Sequence, residues 1–178
     1  HISHSLRKRV RQRRFEIGID RDFAAVIAAC AARTPARKTT WINSRIRSLY
    51  TQLHKMGCCH SVECWRDGHL AGGLYGVRIG AAFFGESMFS RATDASKLAL
   101  AYLVHRLRAG GFTLFDTQFL TPHLASLGGI EIARADYHDR LGRALSSSAT
   151  FDPPGYSLAG GAGSPAASGR MQDRTHTS

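Results

Sequence analysis

Between His60 and Phe89 the chain makes three passes that a β-sheet accommodates and a helix does not. His60 to Trp65 alternates, Asp67-Gly68 is a tight-hairpin dipeptide, Leu70 to Val77 returns, and Gly80 turns the chain into Ala81 to Phe89. Alternation with period two sends successive side chains to opposite faces of a strand, and Asp-Gly tolerates the positive φ of a two-residue turn. A three-stranded antiparallel meander is the expectation. Gly72 and Gly73, inside the second pass, predict a bulge or the close approach of another backbone, because glycine otherwise weakens a strand.

Helical patterns flank this meander. Phe23, Val26, Ile27 and Cys30 recur at i, i+3, i+4 and i+7, with Asp20 as a candidate cap and the loop Ala32 to Lys38 around Pro35 as the stop. A second helix is expected after Thr39-Thr40, with Ile42, Ile46, Leu49, Leu53 and Met56 as its apolar stripe and Gly57 ending it. Trp41 is expected in its first turn and Tyr50 beside the stripe. Asp94 is predicted to cap a third helix carrying Leu100, Leu103, Val104 and Leu107, closed by Gly110-Gly111. Phe112 to Phe119 follows that helix directly, so it can lie parallel to an earlier strand through a right-handed crossover. Thr121 to Gly129 is expected as a loop, and Arg134 to Leu145 as a last short helix. The sum is an α+β chain, a mixed sheet flanked by helices.

Three regions follow from composition. Residues 1–20 open with Arg7, Lys8, Arg9, Arg11, Arg13 and Arg14, a run too charged for a core, which predicts a phosphate-contacting surface. Residues 21–145 carry the periodic patterns of one domain. Residues 146–178 are dominated by Ser, Gly, Ala and Pro, too poor in large apolar side chains to repay their ordering entropy, and are expected to be a disordered tail.

The formal charge of +11 favours polyanionic partners, nucleic acid first. The alternative, a basic terminus with no such partner, stays open. No apolar run approaches the ~18 residues of a membrane span, and no signal-peptide core follows the basic start, so a cytoplasmic location is expected. Cys30, Cys58, Cys59 and Cys64 lack metal-site spacing. Buried reduced thiols and no bound metal are the expectation.

Several pieces in fixed order carry a family resemblance: His60-Ser61-Val62-Glu63 with Trp65, Gly72 to Val77, Gly85-Glu86-Ser87-Met88-Phe89-Ser90-Arg91, Asp94 to Lys97, Asp116-Thr117-Gln118, and His123 to Gly128. Together they resemble the leucyl/phenylalanyl-tRNA-protein transferases over nearly the whole block from His60 to Tyr137. His1-Ile2-Ser3, Ser5 to Lys8 and Thr40-Trp41-Ile42 also look like that family, whose Arg is His4 here and whose smaller N-terminal domain is expected upstream of the basic run. The resemblance implies a fold similar to the Gcn5-related acetyltransferases. It also implies transfer of Leu, Phe or Met from aminoacyl-tRNA to proteins beginning with Arg or Lys, which marks them for N-end rule degradation, by a monomer needing no cofactor.

The aminoacyl ester is already activated toward an amine, so the protein has to align two substrates and stabilise an oxyanion. Period two places residues 116 and 118 on one face of a strand. The resemblance makes Asp116 and Gln118 a catalytic pair, Asp116 orienting and polarising the amide that accepts a hydrogen bond from the amine. A neutral amide is too weakly basic for full proton abstraction near pH 7, so a shuttle through the ribose 2′-hydroxyl is chemically safer. Without the resemblance, a plain strand-end hydrogen-bonded pair is the competing reading.

Glu86, in an apolar strand between Phe84 and Met88, needs a cationic partner. That partner is the acceptor's N-terminal residue or amine by the resemblance, or Arg91 or Lys97 in an internal salt bridge. Leu74, Phe83, Leu103 and Leu107 are expected to line the pocket for the transferred side chain, with ordinary core packing as the alternative. Trp41 and Tyr50 offer faces on which the terminal adenine can stack, against core packing again.

Two rivals remain from the sequence. The first is an acetyl-CoA-dependent acetyltransferase, opposed by the glycine-free stretch Arg91 to Ser96 where a phosphate loop is needed. The second is a non-catalytic RNA-binding module or inactive fragment.

Overall fold

The computed structural model describes residues 15–35 and 38–156. The six basic residues from Arg7 to Arg14 lie outside them, as do residues 157–178. Among the described residues five strands form one sheet in sequence order: β1 (Glu16–Ile19), β2 (Cys59–Arg66), β3 (His69–Ile79), β4 (Ala82–Ser90) and β5 (Leu114–Asp116). β1 to β4 pair antiparallel, and β5 runs parallel to β4. The helices are α1 (Phe23–Ala31), α2 (Ser44–Lys55), α3 (Ala95–Ala109), α4 (Pro122–Ser126) and α5 (Arg134–Leu145). The fold is thus α+β, a mixed sheet flanked by helices. Among the described residues no helix is long and apolar enough to cross a membrane, and no group of three or more His, Cys, Asp or Glu side chains is placed to hold a metal.

The meander has its expected turns. Asp67 and Gly68 both adopt positive φ, 53° and 74°, the signature of the primed hairpin turn that matches strand twist. Cys64 pairs with Gly72 while Trp65 pairs with Leu70, so Ala71 is the extra residue of a bulge. A Cβ on Gly72 would sit 2.6 Å from that of Ala95. The glycine therefore lets the start of α3 rest directly on β3. Adjacent residues of β3 feed opposite faces: Leu74 joins Val62, Phe83, Leu103 and Leu107 under α3, and Tyr75 joins Phe23, Val26 and Ile27 under α1.

Asp20 does not cap α1. Asp22 does, accepting the Ala25 N–H at 2.9 Å. Asp20 has φ 52° and accepts from the Ser61 N–H at 2.7 Å, with His60 Nδ1 also at 2.7 Å. Glu63, fully buried, accepts from Asp22 N–H, the Ser61 hydroxyl and Trp65 Nε1 at 2.8–2.9 Å. A buried carboxylate persists only when its oxygens are so occupied, which gives His60-Ser61-Val62-Glu63 and Trp65 a structural reason to occur together. Asp94 heads α3 with φ 68°, its carbonyl accepting from Leu98, though its side chain does not cap.

Other departures are local. β1 lies inside the stretch read only as basic, where Phe15-Glu16-Ile17-Gly18-Ile19 alternates. Asn43, not Thr39 or Thr40, caps α2 through the Ile46 N–H, which leaves Trp41 ahead of the helix. Met56 is past its end and 71% exposed. Thr121 caps a one-turn helix in the segment expected as loop.

Composition also places the tail boundary too early. Phe151 is buried, stacked on His60 at 4.0 Å and on Phe83 at 5.7 Å between ring centroids. Thr150 N–H donates to the Gly110 carbonyl at 3.0 Å, and Asp152 forms an ion pair with the buried guanidinium of Arg106. One large aromatic suffices to dock a segment whose average composition is that of a linker.

Cys30, Cys59 and Cys64 are buried, and burial pushes the Cys64 thiol up to about 12.

Candidate active site

β4 and β5 pair from Ala82↔Leu114 to Phe84↔Asp116 and then part. The next residues of each, Gly85 and Glu86 on one side and Thr117 and Gln118 on the other, flank the opening. Tyr75 of β3 pairs with Ser87 and Gly76 with Gly85, so Glu86 is the extra residue of a bulge in β4. The bulge resets the alternation. Phe84 and Glu86 face the α2 side, where both line one groove, whereas Met88 packs into the cluster under α3. Glu86 does not share a face with Met88 as simple periodicity expects.

Asp116 and Gln118 are brought together, but not by the pleat. β5 ends at Asp116, and Gln118 is a non-glycine residue with φ 66°. Asp116 Oδ1 accepts the main-chain N–H of Gln118 at 2.7 Å, an Asx-type turn that Asp favours. The carboxylate thus fixes the backbone of Gln118 and not its amide. That amide instead donates through Nε2 to Glu86 Oε2 at 3.4 Å and to the Gly85 carbonyl at 3.5 Å. With its NH2 end directed at two acceptors, the amide's oxygen is directed away from them.

Tyr137 of α5 completes the cluster. Its hydroxyl donates to Asp116 Oδ2 at 2.7 Å, and this bond, followed by burial and the carboxylate's charge, raises the phenol to about 12. No motif in the sequence singled out Tyr137. Its i, i+4 relation to Leu141 on a helix ending in buried Ala144 is the only signal, and it reports packing.

Glu86 has no cationic partner among the described residues. Lys97 pairs with Asp94 at 3.5 Å. Arg91 lies over the Phe89 ring and donates to the Leu70 carbonyl. The internal salt bridge entertained from the sequence is therefore not formed. Glu86 instead stands beside Tyr50, whose phenol is raised by burial first and then by its hydrogen bond to Glu86.

The groove beside Glu86 has a volume of about 460 Å³. Its walls are Trp41, Ile46, Leu49, Tyr50 and Leu53 on one side and Val77, Ile79 and Phe84 on the other. No residue of α2 is buried, so its apolar stripe forms a groove wall where a packed core face was expected. Trp41 is half exposed and meets Tyr50 edge to face at 6.4 Å. Leu74, Phe83, Leu103 and Leu107 are all buried in one cluster under α3 and do not line this groove. In this structure they pack in the core.

Glu86 at the end of an apolar groove, with the Gln118 amide beside it and Asp116 holding the Gln118 backbone, and no serine, cysteine or lysine among them, suits an enzyme that passes an already activated acyl group to an amine. The model of the leucyl/phenylalanyl-tRNA protein transferase family matches residues 1–142, and the chain belongs to that family. A leucyl/phenylalanyl-tRNA–protein transferase from Cereibacter sphaeroides strain KD131 is 60% identical over 156 residues, covering 88% of this chain and 71% of that protein. One from Ruegeria pomeroyi is 59% identical over 151 residues, covering 85% and 70%. Among solved structures, a ribosomal-protein-alanine N-acetyltransferase from Brucella melitensis biovar Abortus 2308 superposes with a TM-score of 0.43 at 14% identity, covering 83% of this chain and 99% of that one.

Proposed function

We propose that this protein transfers Leu, Phe or Met from aminoacyl-tRNA to the N-terminal Arg or Lys of acceptor proteins, marking them for N-end rule degradation, as a cytoplasmic monomer. Family membership supports the reaction class. The observation that carries the site is the meeting of Gln118 with Glu86 where β4 and β5 part, at the end of the groove walled by Trp41 and Tyr50. The half-exposed Trp41 offers the terminal adenine a face for stacking, a contact worth about 1–3 kcal/mol. The basic run from Arg7 to Arg14 is proposed to meet tRNA phosphates, ahead of a catalytic domain that takes in β1 and the segment docked by Phe151.

The amine nitrogen attacks the ester carbonyl carbon, the bond to the ribose 3′-oxygen breaks, and the amine proton reaches that oxygen through the 2′-hydroxyl. Gln118 orients the amine through its amide oxygen, because its NH2 is already engaged. Glu86, with no cationic partner among the described residues, is left to hold the acceptor's positive charge. The side-chain pocket of Leu74, Phe83, Leu103 and Leu107 requires the cluster under α3 to open toward the parted strands.

The acetyl-CoA reading fits the site less well. At the start of α3 the Ser96 N–H is directed at Ser90 Oγ and the Ala95 N–H donates to the Ala92 carbonyl, and Asp94 adds negative charge where a pyrophosphate would sit. Transfer of labelled leucine from leucyl-tRNA to a peptide beginning with Arg tests the proposal, with Gln118→Ala and Glu86→Ala alongside. Binding of the tRNA with no transfer by the parent protein would favour the non-catalytic reading.

A further inference from the structure

The side chain that Asp116 presents to solvent-side partners is not left to itself. One oxygen holds the Gln118 N–H and the other receives the Tyr137 hydroxyl, each at 2.7 Å. Gln118 has φ 66°, a left-handed conformation that costs a non-glycine residue energy and persists only where its surroundings over-determine it. A carboxylate with one oxygen unengaged can rotate about its Cβ–Cγ bond, and the turn it holds would loosen with it.

Tyr137 is in turn held by its helix. Its ring packs, as do Phe84 and Leu141, against the cluster of buried Ala82, Leu114 and Ala144. The far end of α5 is fastened to the β3–β4 turn, where Ala81 N–H donates to the Ala144 carbonyl at 2.7 Å. Gly80, with φ 57°, leaves room there: a Cβ on it would lie 2.6 Å from that same carbonyl oxygen. The turn that starts β4 thereby fixes the helix that fixes the end of β5. Both strands that carry the site are coupled through one phenol.

We infer that Tyr137 is a positioning residue for the transfer reaction, locking the Asp116 carboxylate so that the strained turn at Gln118 presents its amide to the incoming amine. This rests on the function proposed above, and it adds a residue whose action is entirely through Asp116. The phenol stays a neutral donor across ordinary assay conditions, since its pKa is raised to about 12 by the bond to Asp116. The direction is that of a raised group. The bond is fully present below the unfolded value near ~10 and is lost as pH rises through about 12.

The test is Tyr137→Phe, which keeps the ring against the Ala82, Leu114 and Ala144 cluster and removes the hydroxyl alone. In the full-length protein kcat should fall about tenfold, with KM for aminoacyl-tRNA within about twofold of the parent. In an Asp116→Ala background the same change should have no further effect, because there is no carboxylate left to lock. Equal kcat in parent and Tyr137→Phe, or losses that multiply with those of Asp116→Ala, would overturn the inference.

Hydrogen exchange of the Gln118 main-chain amide decides the matter independently of activity. Tyr137→Phe should speed it several-fold while the amides of β3 and β4 keep their protection. Unchanged exchange at Gln118, or faster exchange throughout the sheet, would reduce Tyr137 to a packing residue. If the parent protein performs no transfer at all, the proposed function fails, and the exchange measurement still decides the role of Tyr137.

Discussion

Asp116→Asn removes a charge and one acceptor from the centre of the site while keeping the shape of the side chain. The aspartate accepts two hydrogen bonds, from the Gln118 main chain and the Tyr137 hydroxyl. An asparagine has one oxygen, so whichever donor it keeps, the other faces an NH2. A hydrogen bond to a charged group contributes about 1.5–3 kcal/mol, and partial exposure of Asp116 argues for the lower half, about 1.5–2 kcal/mol. If that loss falls on the aligned state of Gln118, kcat should drop about ten- to thirtyfold. The tRNA dissociation constant should change little, because Asp116 does not line the groove of Trp41 and Tyr50. Single-turnover transfer from saturating leucyl-tRNA separates the two quantities, and filter binding gives the affinity directly. A loss of binding equal to the loss of turnover would refute the reasoning and make Asp116 a folding residue.

Glu86→Gln should lower transfer to acceptors beginning with Arg or Lys by about tenfold or more, since it removes a charge that has no cationic partner among the described residues; an unaltered acceptor preference in a peptide panel would remove Glu86 from acceptor recognition. Reversing charge at Arg13 and Arg14 should weaken tRNA binding and flatten the plot of log affinity against log salt by about 1.5, the share of two phosphate contacts; an unchanged slope takes both residues off the interface. Phe151→Ala should destabilise the fold by about 3 kcal/mol, a buried aromatic stacked on His60 and Phe83 being replaced by a cavity; a urea midpoint equal to the parent's would show that the segment after Ser146 is dispensable to the core.

The elements that sequence made legible are those governed by a single period. The meander followed from alternation and from Asp67-Gly68, whose positive φ values few other dipeptides accept. α3 follows from its spacing of apolar residues, and Gly72 marks a point of close approach because Ala95 sits against it. Asp20 against Asp22 shows the limit. Both residues are local candidates for a helix cap, and the choice is made forty residues away, where Ser61 and His60 claim Asp20. Phe151 shows a second limit, for composition averages over a segment and one anchoring ring is invisible to an average.

The candidate site failed to follow from periodicity for a related reason. Its residues were named from their types and from family likeness, but each sits where a period is broken. Glu86 is the extra residue of a bulge, which turns it toward the groove while Met88 turns the other way. Gln118 lies beyond the end of β5 in a left-handed turn, so its neighbourhood with Asp116 comes from a main-chain hydrogen bond and not from alternation. Regular strands cannot bring two polar side chains from adjacent strands to the lip of a groove and still leave a gap for substrates, because paired backbones fill the space between them. A bulge in one strand and an early end to the other open that gap, and the Gln118 amide, reaching back to Gly85 and Glu86, spans what the lost pairing leaves.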